Sequence, residues 1–94
     1  MQSNRYDIIR ARLSNTLAPT ELDLQDDGHL HAGHAGANSG GHFSLRIVSA
    51  QFAGLRALRR HQLIYRSLGE LMQTEIHALS ITALTPEEAQ HGQH

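Results

Sequence analysis

Cysteine and lysine are both absent from this chain of 94 residues. Without cysteine there are no disulfides, no thiol nucleophile and no thiolate metal cluster that the chain could build alone. Tryptophan is missing too, so two phenylalanines and two tyrosines carry all the aromatic packing. No apolar run is long enough to span a bilayer, and the N-terminal residues lack the apolar core of a signal peptide. A cytoplasmic protein with no membrane contact is the resulting expectation. Neither sign of charge dominates: eight arginines face nine acids, for a formal net charge of −1. That balance weighs against non-specific nucleic-acid affinity, which needs many phosphate contacts and the release of their counterions. A chain this short buries only about 60 to 65% of its unfolded surface. One thin core is expected over residues 1–88, with a disordered tail at 89–94, no enclosed active-site cavity and no enzymatic activity.

Histidine is what the chain has in excess, with eight residues. Three of them fall in His29-Leu30-His31-Ala32-Gly33-His34, inside a glycine-rich stretch. Imidazole titrates near neutral pH and its neutral form is a common metal ligand, so the pattern points to metal or proton chemistry. Three adjacent imidazoles in a solvated linker also suit adventitious nickel or zinc. The positive charge is concentrated as well: Arg56, Arg59, Arg60 and Arg66 lie within one short segment. They form either a solvated helix face or a phosphate-contacting one.

Ser3 or Asn4 is placed to cap a helix from about Arg5 to Leu17, whose apolar positions Ile8, Ile9, Leu13 and Leu17 recur at helical spacing; Pro19 ends it by disfavouring α conformation at Ala18. Glu21 to Gln25 alternates polar and apolar residues, the pattern of a short strand with one wet face. Asp26 to Gly41 holds five of the eight glycines and reads as a long loop between two antiparallel strands. His42 to Val48 resumes a strand with Phe43, Leu45 and Ile47 on one face. A second helix, expected to be the longest, follows with Ala57, His61, Ile64, Tyr65, Leu68, Leu71 and Met72 on one stripe. Ile76 to Ala83 is a third strand, and Thr85-Pro86-Glu87-Glu88 opens a last helix with threonine as cap and acids in the first turn. The order α-β-β-α-β-α predicts a two-layer α+β domain, a three-stranded mixed sheet with helices packed on one face, the long helix permitting a parallel crossover between strands two and three.

Four segments in this order resemble the BolA family: the histidine loop, His42-Phe43, Phe52-Ala53-Gly54 through Arg60-His61-Gln62-Leu63-Ile64-Tyr65, and His77-Ala78-Leu79-Ser80 with Thr85-Pro86-Glu87-Glu88. The resemblance covers roughly residues 5 to 88. Its most specific parts are Phe-x-Gly before Arg-His-x-x-x-Tyr and the His-Ala-Leu of the third strand. Gln62 departs from the pattern, standing where many relatives carry a basic residue. The resemblance implies a fold similar to the class II KH domain and a monothiol glutaredoxin as partner. A [2Fe-2S] cluster would bridge the two, with sulfur ligands from glutaredoxin and glutathione and imidazole ligands from this chain. Replacing two thiolates by imidazoles raises a cluster's potential, as in Rieske centres. By the same resemblance His77 is the strand ligand and His31 the loop ligand, followed in rank by His34 and then His29. The isolated chain is expected to be a monomer and to hold no cluster.

Some family members are described as DNA-binding regulators. In this chain that role would fall on Arg59 and Arg60, with Arg56 and Arg66. The remaining histidines have plainer readings. His61 sits on the apolar stripe and is expected to be buried and bonded to a neighbour, His42 is structural or at the edge of the cluster, and His91 and His94 belong to the tail. Gly33-His34-Ala35-Gly36 matches the Gly-x-x-Gly clamp of KH domains, but between strands rather than helices. Ser44 and Ser80 lie on strands without a positioned base.

Overall fold

The computed structural model describes residues 4–27 and 41–91. The first helix, α1 (Asn4–Leu17), buries Ile9, Leu13 and Leu17 almost completely. Their spacing of four puts them on one line along the helix, and each buried side chain of this size contributes about 1.5–3 kcal/mol. Ile8 lies at the rim, 43% exposed. Ser3, one of the two proposed caps, lies outside the described residues. The helix stops where Pro19 disfavours α backbone at Ala18, and Ala18 turns the chain with a φ of +46°. The chain then enters β1 (Glu21–Asp26).

β2 (Gly41–Val48) pairs antiparallel with β1, from Glu21 opposite Val48 to Asp26 opposite Phe43. β3 (Ile76–Leu84) pairs parallel with β2, giving the order β1-β2-β3 and the mixed sheet expected from the intervening helix. Period-two alternation sorts the side chains. Leu22, Leu24, Phe43, Leu45, Ile47, Leu79, Ile81 and Ala83 join the core with Ile9, Leu13, Phe52, Ile64 and Leu68. The opposite face of β2 shows His42, Ser44 and Arg46, all half-buried.

Between β2 and the next helix, Ser49 is fully buried and fully satisfied. Its hydroxyl donates to the Leu17 carbonyl at 2.7 Å and accepts from the Gln51 N–H at 3.1 Å. It thereby joins the end of α1 to the 3-10 turn Ala50–Phe52, which inserts Phe52 into the core.

The second helical region departs from expectation. In place of one long helix there are α2 (Ala57–Leu68) and the single turn α3 (Leu71–Thr74), so α1 is the longest helix. The break is at Gly69, whose φ of +53° and ψ of −126° suit glycine alone and leave its N–H bonded to the Tyr65 carbonyl. Arg12 of α1 donates to the Ser67 and Leu68 carbonyls at 3.3 and 3.1 Å and pairs with Glu70. A cation thus meets the carbonyl end of α2, where the helix dipole favours it. Tyr65 and Ala57, assigned to the buried stripe, are exposed; Ile64, Leu68 and, in α3, Leu71 are the buried members.

The last helix, α4 (Pro86–His91), extends through residues assigned to the tail, because Ala89 is buried and anchors it. Residues 92–94 lie outside the described set. Thr85 and Glu88 form a reciprocal capping box: the Glu88 N–H donates to Thr85 Oγ1 at 3.1 Å, and the Thr85 N–H donates to Glu88 Oε1 at 3.0 Å. The Thr-Pro-Glu-Glu signature is realised as read.

Candidate metal-ligating site

His77 owes its position to an irregularity in the parallel ladder. Gly41 is opposite Ile76, but the next residue, His42, is opposite Ala78, so His77 is an extra residue on β3. Such a bulge re-aims a side chain without breaking the strand. Ile76 remains in the core while His77 is exposed. The Gly41 N–H reaches back to the Glu75 carbonyl at 3.0 Å and fixes the backbone beneath the bulge. Gly41 is required here, because a Cβ at this position would overlap the buried Phe43 ring and come within 3.1 Å of Arg5 Cδ.

The His42 and His77 rings lie side by side, their centroids 5.0 Å apart and their planes inclined by 34°. Sequence spacing gave no sign of this pairing. Each histidine is recognisable as the start of a strand, but only parallel pairing with a one-residue bulge brings the rings together. Farther along the same face Ser44 donates to the Asp27 carboxylate and Arg46 pairs with Glu21 at 2.7 Å. Ser44 and Arg46, with Asp23, Gln25, Leu45, Ser80 and Thr82, border a shallow depression of about 270 Å³. Among the described residues no three His, Cys, Asp or Glu side chains converge as a metal cage. The donor set at this end of the sheet is a pair of imidazoles. His29, His31 and His34, and the Gly33-x-x-Gly36 match, lie outside the described residues.

The four arginines separate into two groups. Arg60 is held inside the fold, its side chain 12% exposed. It donates to the Leu55 carbonyl at 2.7 Å, to the Ala83 carbonyl at 3.0 Å, and through both terminal nitrogens to Glu88 at 2.6 and 3.0 Å. The guanidinium fork matches two carbonyls and a carboxylate at once, and it is therefore not offered to phosphate. Its hydrogen bonds, helped by the Thr85 N–H, lower the Glu88 pKa to about 2. Arg56, Arg59 and Arg66 are exposed, and α2 carries no acidic residue. Arg59 and Arg66 border a groove of about 190 Å³ with Leu55, Gln62 and Leu63. Leu58 and Tyr65 are large exposed side chains on the same helix, 68% and 42% exposed. His61 is half-buried rather than buried, and His91 is exposed in the last turn of α4. Among the described residues no helix is long and apolar enough to cross a membrane.

Comparison with known proteins bears on the family and the fold. A family model described as "BolA-like protein" matches residues 13–88. The chain is similar to "Protein BOLA1, chloroplastic" of Arabidopsis thaliana, at 41% identity over 90 residues, covering 92% of this chain and 56% of that protein. It is 40% identical over 81 residues to "DNA-binding transcriptional regulator BolA" of Haemophilus influenzae, covering 86% of this chain and 77% of that one. Among solved structures, the BolA domain of SufE1 from Arabidopsis thaliana superposes with a TM-score of 0.78 at 45% identity, covering 89% of this chain and 94% of that one. The chain spans little more than half of Arabidopsis BOLA1 and 23% of the Arabidopsis SufE-like protein 1. The names of these relatives describe BolA-like proteins, a SufE-like protein and regulators. Because they include chloroplastic as well as bacterial proteins, relationship does not assign the cytoplasmic setting expected from the sequence.

Proposed function

Since the chain belongs to the BolA-like family, we propose that it is a non-enzymatic adaptor in iron-sulfur cluster assembly, trafficking or iron homeostasis, ligating a bridging [2Fe-2S] cluster together with a monothiol glutaredoxin. The observation that supports this most is His77, an exposed imidazole displaced from the regular ladder by a bulge on a fixed strand. Nitrogen donors and no thiolate are what this chain offers, so half of the ligands must come from elsewhere. In this reading His77 is one ligand, His31 the other with His34 as its substitute, and glutaredoxin and glutathione supply sulfur. The cluster, when bound, would store or transfer electrons and iron; the chain's own part is to place imidazole and to dock. Alone it is a monomer without a cluster.

The test is copurification of the chain with its host's monothiol glutaredoxin, read by visible absorption and EPR. A coloured 1:1 heterodimer whose spectra change in His77→Ala is the expected result. A stoichiometric cluster on the isolated chain, or spectra unchanged in His77→Ala, overturns the reading.

A second reading has its own support. Arg59 and Arg66 on α2, and Arg56 at its N-cap, are exposed, the helix carries no acid, and relatives are named as DNA-binding regulators. A small DNA-binding regulator would use these three, with Arg60 reserved for the fold. Replacing Arg59 and Arg66 by alanine should then lower the salt dependence of DNA binding by about one unit per lost phosphate contact. Absence of DNA affinity near physiological salt overturns it.

A further inference from the structure

We propose that Arg5 and Glu75 are positioning residues for His77: their ion pair clasps the starts of β2 and β3 and sets the direction in which the bulge turns the imidazole. The inference rests on the reading of His77 as a ligand and adds the residues that aim it. It starts from what the bulge removes. An extra residue in a strand is left out of the regular pairing, and His77 falls between the pairs Gly41–Ile76 and His42–Ala78. The ladder that fixes the rest of β3 therefore does not fix the residue that carries the imidazole. Its direction has to be set by the chain on either side.

On the N-terminal side Glu75 is held by three elements at once. Its N–H donates to the Leu71 carbonyl of α3 at 2.9 Å, its carbonyl accepts from the Gly41 N–H of β2 at 3.0 Å, and its carboxylate accepts from Arg5 Nε of α1 at 3.2 Å. Ile76 follows, buried in the core. Arg5 also lies over Gly41, since a Cβ placed there would come within 3.1 Å of Arg5 Cδ. One side chain of α1 thus spans the hydrogen bond that joins the first residue of β2 to the residue before β3. An exposed ion pair contributes little order, but here the side chains of Arg5 and Glu75 are only 37% and 32% exposed. Beyond His77 the ladder resumes with Ala78 opposite His42. The bulge is therefore anchored on both sides, and the ion pair is the part of that anchorage that a side-chain change can remove.

The experiment is NMR of the isolated full chain, following the His77 amide and ring. In the unaltered chain an NOE should connect the His42 and His77 rings, whose centroids are 5.0 Å apart. Arg5→Ala and Glu75→Ala should each lose that NOE and lower the order parameter of the His77 amide, while the amides from Ala78 to Leu84 stay as they are. Reversing the pair, Arg5→Glu with Glu75→Arg, should bring both signals back. Arg12→Ala is the control: it breaks another ion pair of α1 and uncovers the carbonyl end of α2, so it destabilises the fold away from the bulge and should leave His77 unchanged. In the heterodimer with monothiol glutaredoxin, Glu75→Ala should speed cluster loss about tenfold, the lower end for residues that orient a ligand. An NOE absent from the unaltered chain, His77 signals unchanged in both single variants, equal changes in Arg12→Ala, or no recovery on reversal overturns the proposal. The outcome is separable from that of the cluster reading. Heterodimer spectra unchanged in His77→Ala overturn the ligand reading, whereas isolated-chain signals that do not respond, beside spectra that do change in His77→Ala, overturn this inference alone.

Discussion

At its first residues β3 is bulged and bears an exposed imidazole; at its last it is tied down by a guanidinium that bonds the Ala83 carbonyl and the Glu88 carboxylate at once. Both ends hold polar side chains of the type that does chemistry. At the Ala83 end each guanidinium nitrogen of Arg60 has a partner within the chain, so the group adds stability and is not turned toward a ligand. At the His77 end the ladder is bulged, and the exposed His77 ring stands beside that of the half-buried His42, centroids 5.0 Å apart. The difference teaches that polar side chains near one strand divide by exposure: the Arg60 side chain is 12% exposed and bonded within the chain, whereas His77 is turned to the surface.

The largest test of that contrast is at Gly41. Alanine there would collide with the Phe43 ring, which is 2% exposed and cannot swing into solvent. Overpacking of this kind should cost about 2–3 kcal/mol, measured as a fall in the urea midpoint. An unchanged midpoint would show the bulged end to be soft in its backbone as well as open in its side chains. Next is Arg60→Ala, which strands the Leu55 and Ala83 carbonyls and should cost about 2 kcal/mol. Its neighbour Arg59→Ala should stay within about 0.5 kcal/mol. Equal losses from the two would erase the division between fold-bound and exposed arginines.

A third, smaller effect concerns acid. The Arg60 hydrogen bond, followed by that of the Thr85 N–H, holds the Glu88 pKa at about 2, below its ordinary value of 4.5. A depressed folded-state pKa gives stability that is complete above the ordinary value and is lost as pH falls from there toward 2. Glu88→Gln should flatten the decline of melting temperature over that interval, relative to the unaltered chain. A decline of the same steepness would place the acid sensitivity elsewhere, with Glu70, also lowered by its own backbone N–H and by Arg12, the next carboxylate to replace. Smallest of all is the stability change in His77→Ala, within about 0.5 kcal/mol because the ring is exposed. A loss comparable to that of Arg60→Ala would make the imidazole a structural group and sharpen the comparison in the opposite direction.

The element order and the helix start at Thr85 were legible because each rests on a local signal, periodicity, a proline or a cap before acids, and the mixed sheet followed from the helix between strands two and three. The break at Gly69 was harder to see, since Leu71 and Met72 continue the apolar stripe and only the backbone of one glycine interrupts it. Tyr65 shows the limit of the stripe argument, since an aromatic at helical spacing falls at the margin of the buried face and stays exposed. Of the candidate site, His77 was reached through resemblance. Its contact with His42 was beyond reach because register in a parallel pair is fixed by the packing of the whole core, not by either strand alone. The role of Arg60 was hidden for the same reason: nothing in Arg59-Arg60 says which of two adjacent guanidinium groups will meet Glu88.

The parallel pairing of β2 with β3 has a kinetic side. Its two imidazoles stand 35 positions apart in the chain, and a parallel pair cannot zip from a tight turn as a hairpin can. The helices between must be laid down and docked before the strands can align, so their alignment comes late, after the entropy of closing that long segment has been offset by helix packing. A nascent or partly unfolded chain therefore carries both histidines without ever presenting them as a pair, and the juxtaposed rings exist only in molecules that have finished folding.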